Sequence, residues 1–247
     1  IVSFLVLPKK YFQQPLKKTI QNTYSARYPL LLILGVVLFH LFEVNVIDPI
    51  TTEFVCSDFT SWIAGIEADV IAAFSSFWIP AIIIFFVFIY IIFYPFTLWF
   101  TPLYSIITNQ KIMLKTLGFS LFFLYIFALP FYLFFPITNV YTHYDLPSAL
   151  NSFIPDIETF FYTTTTQNNC FPSLHTAMII IITRTIFLTE NKRFQYLGIF
   201  VMVTVIISVL YLSIHWILDV IGGIIVALLA IYLSQKTIKW MNHHESI

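Results

Sequence analysis

FPSLHTAMIIIITRTIFLTENKRFQYLGIFVMVTVIISVLYLSIHWILD, residues 171–219, holds two apolar runs, a charged turn between them and a histidine near each end. The first run, 174–189, follows the polar tract TTTTQNNC and stops at ENKR; the second occupies 196–213. Apolar runs bounded by polar and charged turns read as helices. The two therefore form a helical hairpin, which returns the chain to the level at which it started. His175 and His215 lie at that one level, and neither is required there by packing.

The rest of the chain sets the solvent. Of its 247 residues 59% are hydrophobic and 10% charged, and the mean hydropathy is +0.88. A soluble domain carries roughly a quarter of its residues as charges, so lipid must cover much of this surface. No nucleic-acid partner is expected, and net charge alone says nothing of partners or oligomeric state. A spanning helix needs about 20 mostly apolar residues, and six stretches meet or approach that test: 28–47, 70–94, 113–136, 174–189, 196–213 and 216–235. The fold class expected is an all-α integral membrane protein, a six-helix bundle.

Formal net charge is zero, but the charges are segregated. Lys9, Lys10, Lys17, Lys18 and Arg27 precede the first span; Lys111 and Lys115 open the third; Arg184, Lys192 and Arg193 bracket the hairpin turn; Lys236 and Lys239 follow the sixth. Basic residues concentrate on the cytoplasmic side, which puts both termini inside. The opposite face holds Asp48, Glu53, Asp58, Glu67, Asp69, Asp145, Asp156 and Glu158. His175 and His215 fall on this extracytoplasmic face of a plasma or equivalent membrane, under the loops 48–69 and 137–172.

Residues 1–26 mix paired lysines with Phe4, Leu5, Leu7, Tyr11, Phe12 and Leu16, as an interfacial helix against anionic headgroups does; a plain disordered tail is the alternative. The segment 95–111, with Phe96, Trp99, Phe100 and Tyr104, reads as an aromatic anchor along the inner interface. Beyond the cytoplasmic segment 1–26, residues 27–247 form one membrane domain. Cys56 and Cys170 both fall in outer segments, where a disulfide between them would brace the turn at 171–175; two unrelated thiols are the other reading.

Ionisable groups within membrane segments are functional candidates by default, here His40, His175, Arg184, His215 and Asp219. His40 reads as a packing hydrogen bond. Spacing of four puts His215 and Asp219 on one helix face, where the carboxylate accepts one imidazole proton and leaves the other nitrogen free to attack. Ser173 is a good N-cap, and the backbone N–H groups of the first turn, from Leu174 on, then point at an anion. His175 on that turn is placed to protonate a leaving oxygen. Alone, the His-Asp pair reads equally as a satisfied buried pair, and His175, His215 and Asp219 also have the ligand types of a metal site. Gly222 and Gly223 read as sites of close helix approach.

PSLH at 172–175, followed some forty residues later by the HxxxD of His215 and Asp219, resembles the second and third motifs of the type 2 phosphatidic acid phosphatase superfamily. That family's patterns are KxxxxxxRP, PSGH and SRxxxxxHxxxD, and Leu174 preceded by Phe171 looks like its inositol phosphorylceramide and sphingomyelin synthase branch. The resemblance covers roughly 112–235. It implies a six-helix membrane fold with His215 as the nucleophile on phosphorus, Asp219 as its orienter and His175 as the acid. It implies neither metal nor cofactor.

Two features depart from the pattern. Ser208 stands at the family's Ser, but Val209 stands where its Arg belongs, and the Lys and Arg of the first motif are missing from the outer end of the third span. Substitutes for those cations are the N-terminus of the fourth span, protonated His143, His175 or His215, the donors Asn139, Tyr141, Asn168, Asn169 and Tyr211, or a divalent cation held by outer acids. Donors plus dipole is the favoured reading. The expected substrate is a membrane lipid phosphate or diphosphate of the outer leaflet, hydrolysed through a phosphohistidine; transfer of a lipid head group and a noncatalytic lipid-binding role are the alternatives.

Overall fold

The computed structural model describes residues 2–152 and 155–244. Five helical stretches among them are long and apolar enough to cross a membrane: α1 (Arg27–Val55), α2 (Pro80–Ile107), α3 (Lys111–Phe134), α5 (Lys192–Tyr211) and α6 (Ile217–His244). The fourth of the six expected spans is a shorter apolar helix, α4 (Leu174–Ile186), of 13 residues. At 1.5 Å per residue it is about 20 Å long, short of a hydrocarbon core about 30 Å thick. Helix α4 packs among α3, α5 and α6, and Ile179, Ile181, Ile182 and Ile186 are fully buried. Leu31, Leu34, Leu38 and Phe39 of α1 and Ile221, Ile225, Leu228 and Leu229 of α6 are exposed, as lipid-facing side chains are.

Two expectations about the second span are corrected. It begins at Pro80 rather than 70, because Ile79 is extended, as a residue before proline is. Residues Val70–Phe74 are a separate short helix. Nor does 95–111 leave the bundle, since α2 runs on to Ile107. A π-helical turn at Ile89–Phe93 precedes Pro95 and accommodates the lost backbone donor, while the Thr97, Thr101 and Ser105 hydroxyls bond back along the helix. A second π turn, Glu43–Ile47, precedes Pro49 in α1. The expected interfacial segment 1–26 is broken into helices Val2–Val6 and Leu16–Ser25 around a 3-10 turn at Lys9–Tyr11.

Hydrogen bonds tie the connections into two opposite ends. At the lysine-bearing end the Asn191 amide donates to Val6 O (2.6 Å) and Tyr104 Oη (3.2 Å), Asn22 donates to Ile106 O (2.9 Å), and Ser234 donates to Thr116 O (3.1 Å). At the other end Phe59 N donates to Pro136 O (3.0 Å), Ile137 and Asn169 form a parallel bridge, and Tyr141 N donates to Ser213 O (3.0 Å). Both histidine motifs belong to this second end. His40 also ties α1 to it, with Nδ1 on Tyr125 Oη and Nε2 on Thr164 O, each at 3.1 Å.

Candidate active site

Helix α4 begins where Ser173, in an extended conformation, accepts a hydrogen bond on Oγ from Thr176 N (3.3 Å). This N-cap leaves the N–H groups of Leu174 and His175 outside the helical ladder. The second motif is set by a bend: α5 ends at Tyr211, Ser213 takes φ 56°, and Ile214 N and His215 N both donate to Val209 O (3.0 Å each). Asp219 Oδ2 then accepts from Trp216 N (2.9 Å) and faces His215 Nδ1 (3.2 Å), capping the helix start and orienting the imidazole together.

The two motifs are locked to each other through backbone. Ser173 N donates to Asp219 O (2.9 Å), and Gly222 and Gly223 lie directly against Phe171 and Ser173. A Cβ on Gly222 would stand 2.8 Å from the Phe171 ring, and one on Gly223 2.5 Å from Ser173 O. The glycines therefore permit the close approach expected of them.

That approach lines up four side chains. Tyr90 Oη is 2.8 Å from His175 Nε2, His175 Nδ1 is 3.3 Å from His215 Nε2, and His215 Nδ1 is 3.2 Å from Asp219 Oδ2. One assignment of protons satisfies the whole row: Tyr90 O–H donates to His175, His175 Nδ1–H to His215, and His215 Nδ1–H to Asp219. Nε2 of His215 then carries a lone pair, as a nucleophile must. Burial pushes His215 down to about 3, so it is neutral at rest. The Phe161, Tyr90 and Tyr94 rings pack around His175 with centroids at 5.9, 5.0 and 5.5 Å.

A model of the PAP2 superfamily matches residues 62–233, a range that contains the whole row and the glycine contacts. The chain belongs to the PAP2 superfamily. Members of the PAP2 superfamily are phosphoesterases or phosphotransferases, and five apolar helices of spanning length fit an integral membrane enzyme of that class. No curated protein and no solved structure matches the chain.

Within this PAP2 chain the structure brings together His175, His215, Asp219, Ser173 and Leu174, but not the other expected contacts. Ser208 Oγ bonds Val205 O of its own helix (2.8 Å). The Tyr211 hydroxyl donates to Phe77 O (3.0 Å) and accepts from Ile79 N (3.1 Å), pinning the start of α2. Tyr141 braces the loop through Tyr162 and Glu158. Asn169 turns away, its amide N–H groups donating to Tyr132 O (3.3 Å) and Asp48 Oδ1 (3.2 Å), and His143 packs its ring on Tyr144 and Trp216. Val209, at the superfamily's Arg position, is fully buried in an apolar cluster. Neutral His215 is not the cationic shield considered for a phosphate.

The disulfide expectation is corrected as well. Cys56 and Cys170 are free thiols, the first exposed past the end of α1 and the second buried beside Ile137 and Trp216. Two residues at the site escaped the sequence reading. Tyr90 stands in an apolar run 85 residues from His175, with nothing but the π turn before Pro95 to single it out. Glu67 accepts from Ile217 N (2.9 Å) and Leu218 N (2.6 Å), and so caps α6 from another loop.

Proposed function

We propose that this PAP2 enzyme hydrolyses a membrane lipid phosphate or diphosphate through a phosphohistidine on His215. The observation that carries the reading is the row Tyr90–His175–His215–Asp219, which orients one neutral imidazole as nucleophile and a second beside it as acid. In the first step Nε2 of His215 attacks phosphorus, the bond from phosphorus to the lipid oxygen breaks, and His175, which takes up a second proton as the phosphate binds, gives that oxygen its Nδ1 proton and is left neutral. In the second step His175 takes a proton from water, whose oxygen attacks phosphorus and releases His215. The unladdered N–H groups of Leu174 and His175, at the N-terminus of α4, receive the phosphate oxygens in place of Lys and Arg.

Geometry adds a condition. In-line displacement puts nucleophile and leaving oxygen about 4 Å apart across phosphorus, with the acid beyond that oxygen. The observed 3.3 Å between the imidazoles is therefore a closed resting arrangement, and substrate must part them. The lysine-bearing end is assigned to the cytoplasm, which puts the row near the extracytoplasmic interface, where an outer-leaflet lipid reaches it with its chains still in hydrocarbon.

Transfer to an alcohol is the second reading. It is favoured by the aromatic surroundings: the Phe161, Tyr90 and Tyr94 rings around His175 match an amphiphilic alcohol better than water. The test is purified protein in lipid micelles given a panel of lipid phosphates with and without alcohol acceptors. Phosphate release by the wild type and its loss in His215→Ala are expected. Release unchanged in that variant contradicts the reading, and acceptor-dependent product without free phosphate favours transfer.

A further inference from the structure

Cys170 has no part in that reaction, yet its sulfur converges on two groups that do. One ligand atom each from Cys170, His215 and Asp219 lie within 4.8 Å of one another. All three residues are buried, and the sulfur makes only long contacts, with Gln167 O at 3.6 Å and Ile214 O at 3.9 Å. While Asp219 Oδ2 is shared by His215 and Trp216, Oδ1 is buried without a partner among the described residues. A thiol, an imidazole and a carboxylate thus meet in one buried place.

We propose that Cys170, His215 and Asp219 form an inhibitory site for a soft divalent cation of the zinc or cadmium type. Thiolate, imidazole and carboxylate together are a zinc-class donor set, unlike the all-oxygen sets of magnesium or calcium. At ligand distances of about 2.0–2.3 Å, tetrahedral geometry separates ligand atoms by about 3.3–3.6 Å. His215 Nδ1 already stands 3.2 Å from the Asp219 carboxylate. A small turn of that carboxylate brings the unpartnered Oδ1 toward the ion while the ligand atoms, within 4.8 Å of one another, close up around it. Binding displaces the thiol proton and the Nδ1 proton. The thiolate and carboxylate then neutralise a 2+ ion, which suits a buried site better than any other charge. The inhibitory part rests on the reading of His215 as nucleophile: an ion on Nδ1 withdraws electron density from the ring and removes Asp219 as its orienter.

Cadmium titration of the full chain in micelles, followed by ultraviolet sulfur-to-cadmium charge transfer, tests the site without substrate. The Cys56→Ser protein, with Cys170 as its one thiol, is expected to bind one equivalent and release protons. Adding Cys170→Ser should abolish the band, and adding Asp219→Asn should weaken binding at least about tenfold. No band in Cys56→Ser protein, or a band indifferent to Asp219→Asn, overturns the site. In turnover assays zinc should inhibit the Cys56→Ser enzyme, with recovery on chelation, and Cys170→Ser should raise the inhibitory concentration at least about tenfold. Equal zinc sensitivity of both proteins overturns the inhibitory role. The absorption result stands or falls by itself if the phosphatase reading fails.

Discussion

Gly223 lies so close to Ser173 that a Cβ on the glycine would meet the Ser173 carbonyl oxygen at 2.5 Å and the Thr176 Cβ at 3.1 Å. The first obstacle is backbone at the N-cap of α4, which cannot rotate aside, and the same contact holds the histidine motifs in register. Gly223→Ala is therefore expected to destabilise the protein by about 1–3 kcal/mol and to reduce turnover more than the stability loss accounts for. Thermal unfolding in micelles and turnover by the folded fraction check this. Gly198→Ala is the control: its Cβ would meet the movable end of Ile186 at 3.2 Å, so activity should survive.

In the proposed mechanism Tyr90 is a positioning residue, acting on substrate through His175. Tyr90→Phe removes one hydrogen bond, 2.8 Å long, and keeps the ring that packs on the imidazole. The expected result is a fall in kcat of about two- to tenfold, the worth of one such bond, with KM changed less and a displaced pH profile of kcat. A fall in KM and kcat together with an unmoved profile would mark Tyr90 as merely structural.

Glu67 gives the protein a pH dependence of known sign. Burial raises its carboxyl above the ordinary value of 4.5, outweighing the Leu218 and Ile217 N–H bonds that lower it. The folded state thus binds the proton more tightly than the unfolded one. The resulting stability is fully present below 4.5 and is lost as pH rises through the raised folded value. Glu67→Gln cannot ionise, so the wild type should lose stability relative to this variant across that window. Unfolding midpoints of both proteins between acid and neutral pH test it; parallel curves contradict it.

The Tyr125 hydroxyl donates to the buried Glu43 carboxylate at 2.7 Å. Tyr125→Phe leaves a fully buried carboxyl short of a donor, and a loss of about 1–3 kcal/mol in stability is expected. Calorimetry or thermal shift of the micellar protein measures it.

The hairpin and the charge map made the level of the two motifs legible, because Lys and Arg positions and apolar runs act over whole segments. Boundaries within those segments depend on what a proline does. From sequence the second span stops at 94 and the aromatic segment from 95 on lies at the interface, but the π turn before Pro95 and the Thr97, Thr101 and Ser105 hydroxyls let the helix pass through both Pro95 and Pro102. His215, Asp219 and His175 could be read from local spacing and a helix N-terminus. Tyr90 and Glu67 could not, since each meets the site only through tertiary packing. Ser208 was expected by register with a motif whose Arg is absent and Tyr211 as a donor in place of the missing cations, and in the fold their hydroxyls serve the backbone of α5 and the turn before α2.

The central claim is that phosphorus becomes bonded to His215. The direct measurement is a rapid quench of wild type, His215→Ala and Asp219→Asn with lipid phosphate labelled in the phosphoryl group, followed by mapping of the acid-labile, alkali-stable label. The account predicts label on the 215 peptide of the wild type, less in Asp219→Asn and none in His215→Ala. Turnover with label on another residue, or equal labelling of His215→Ala, would contradict it.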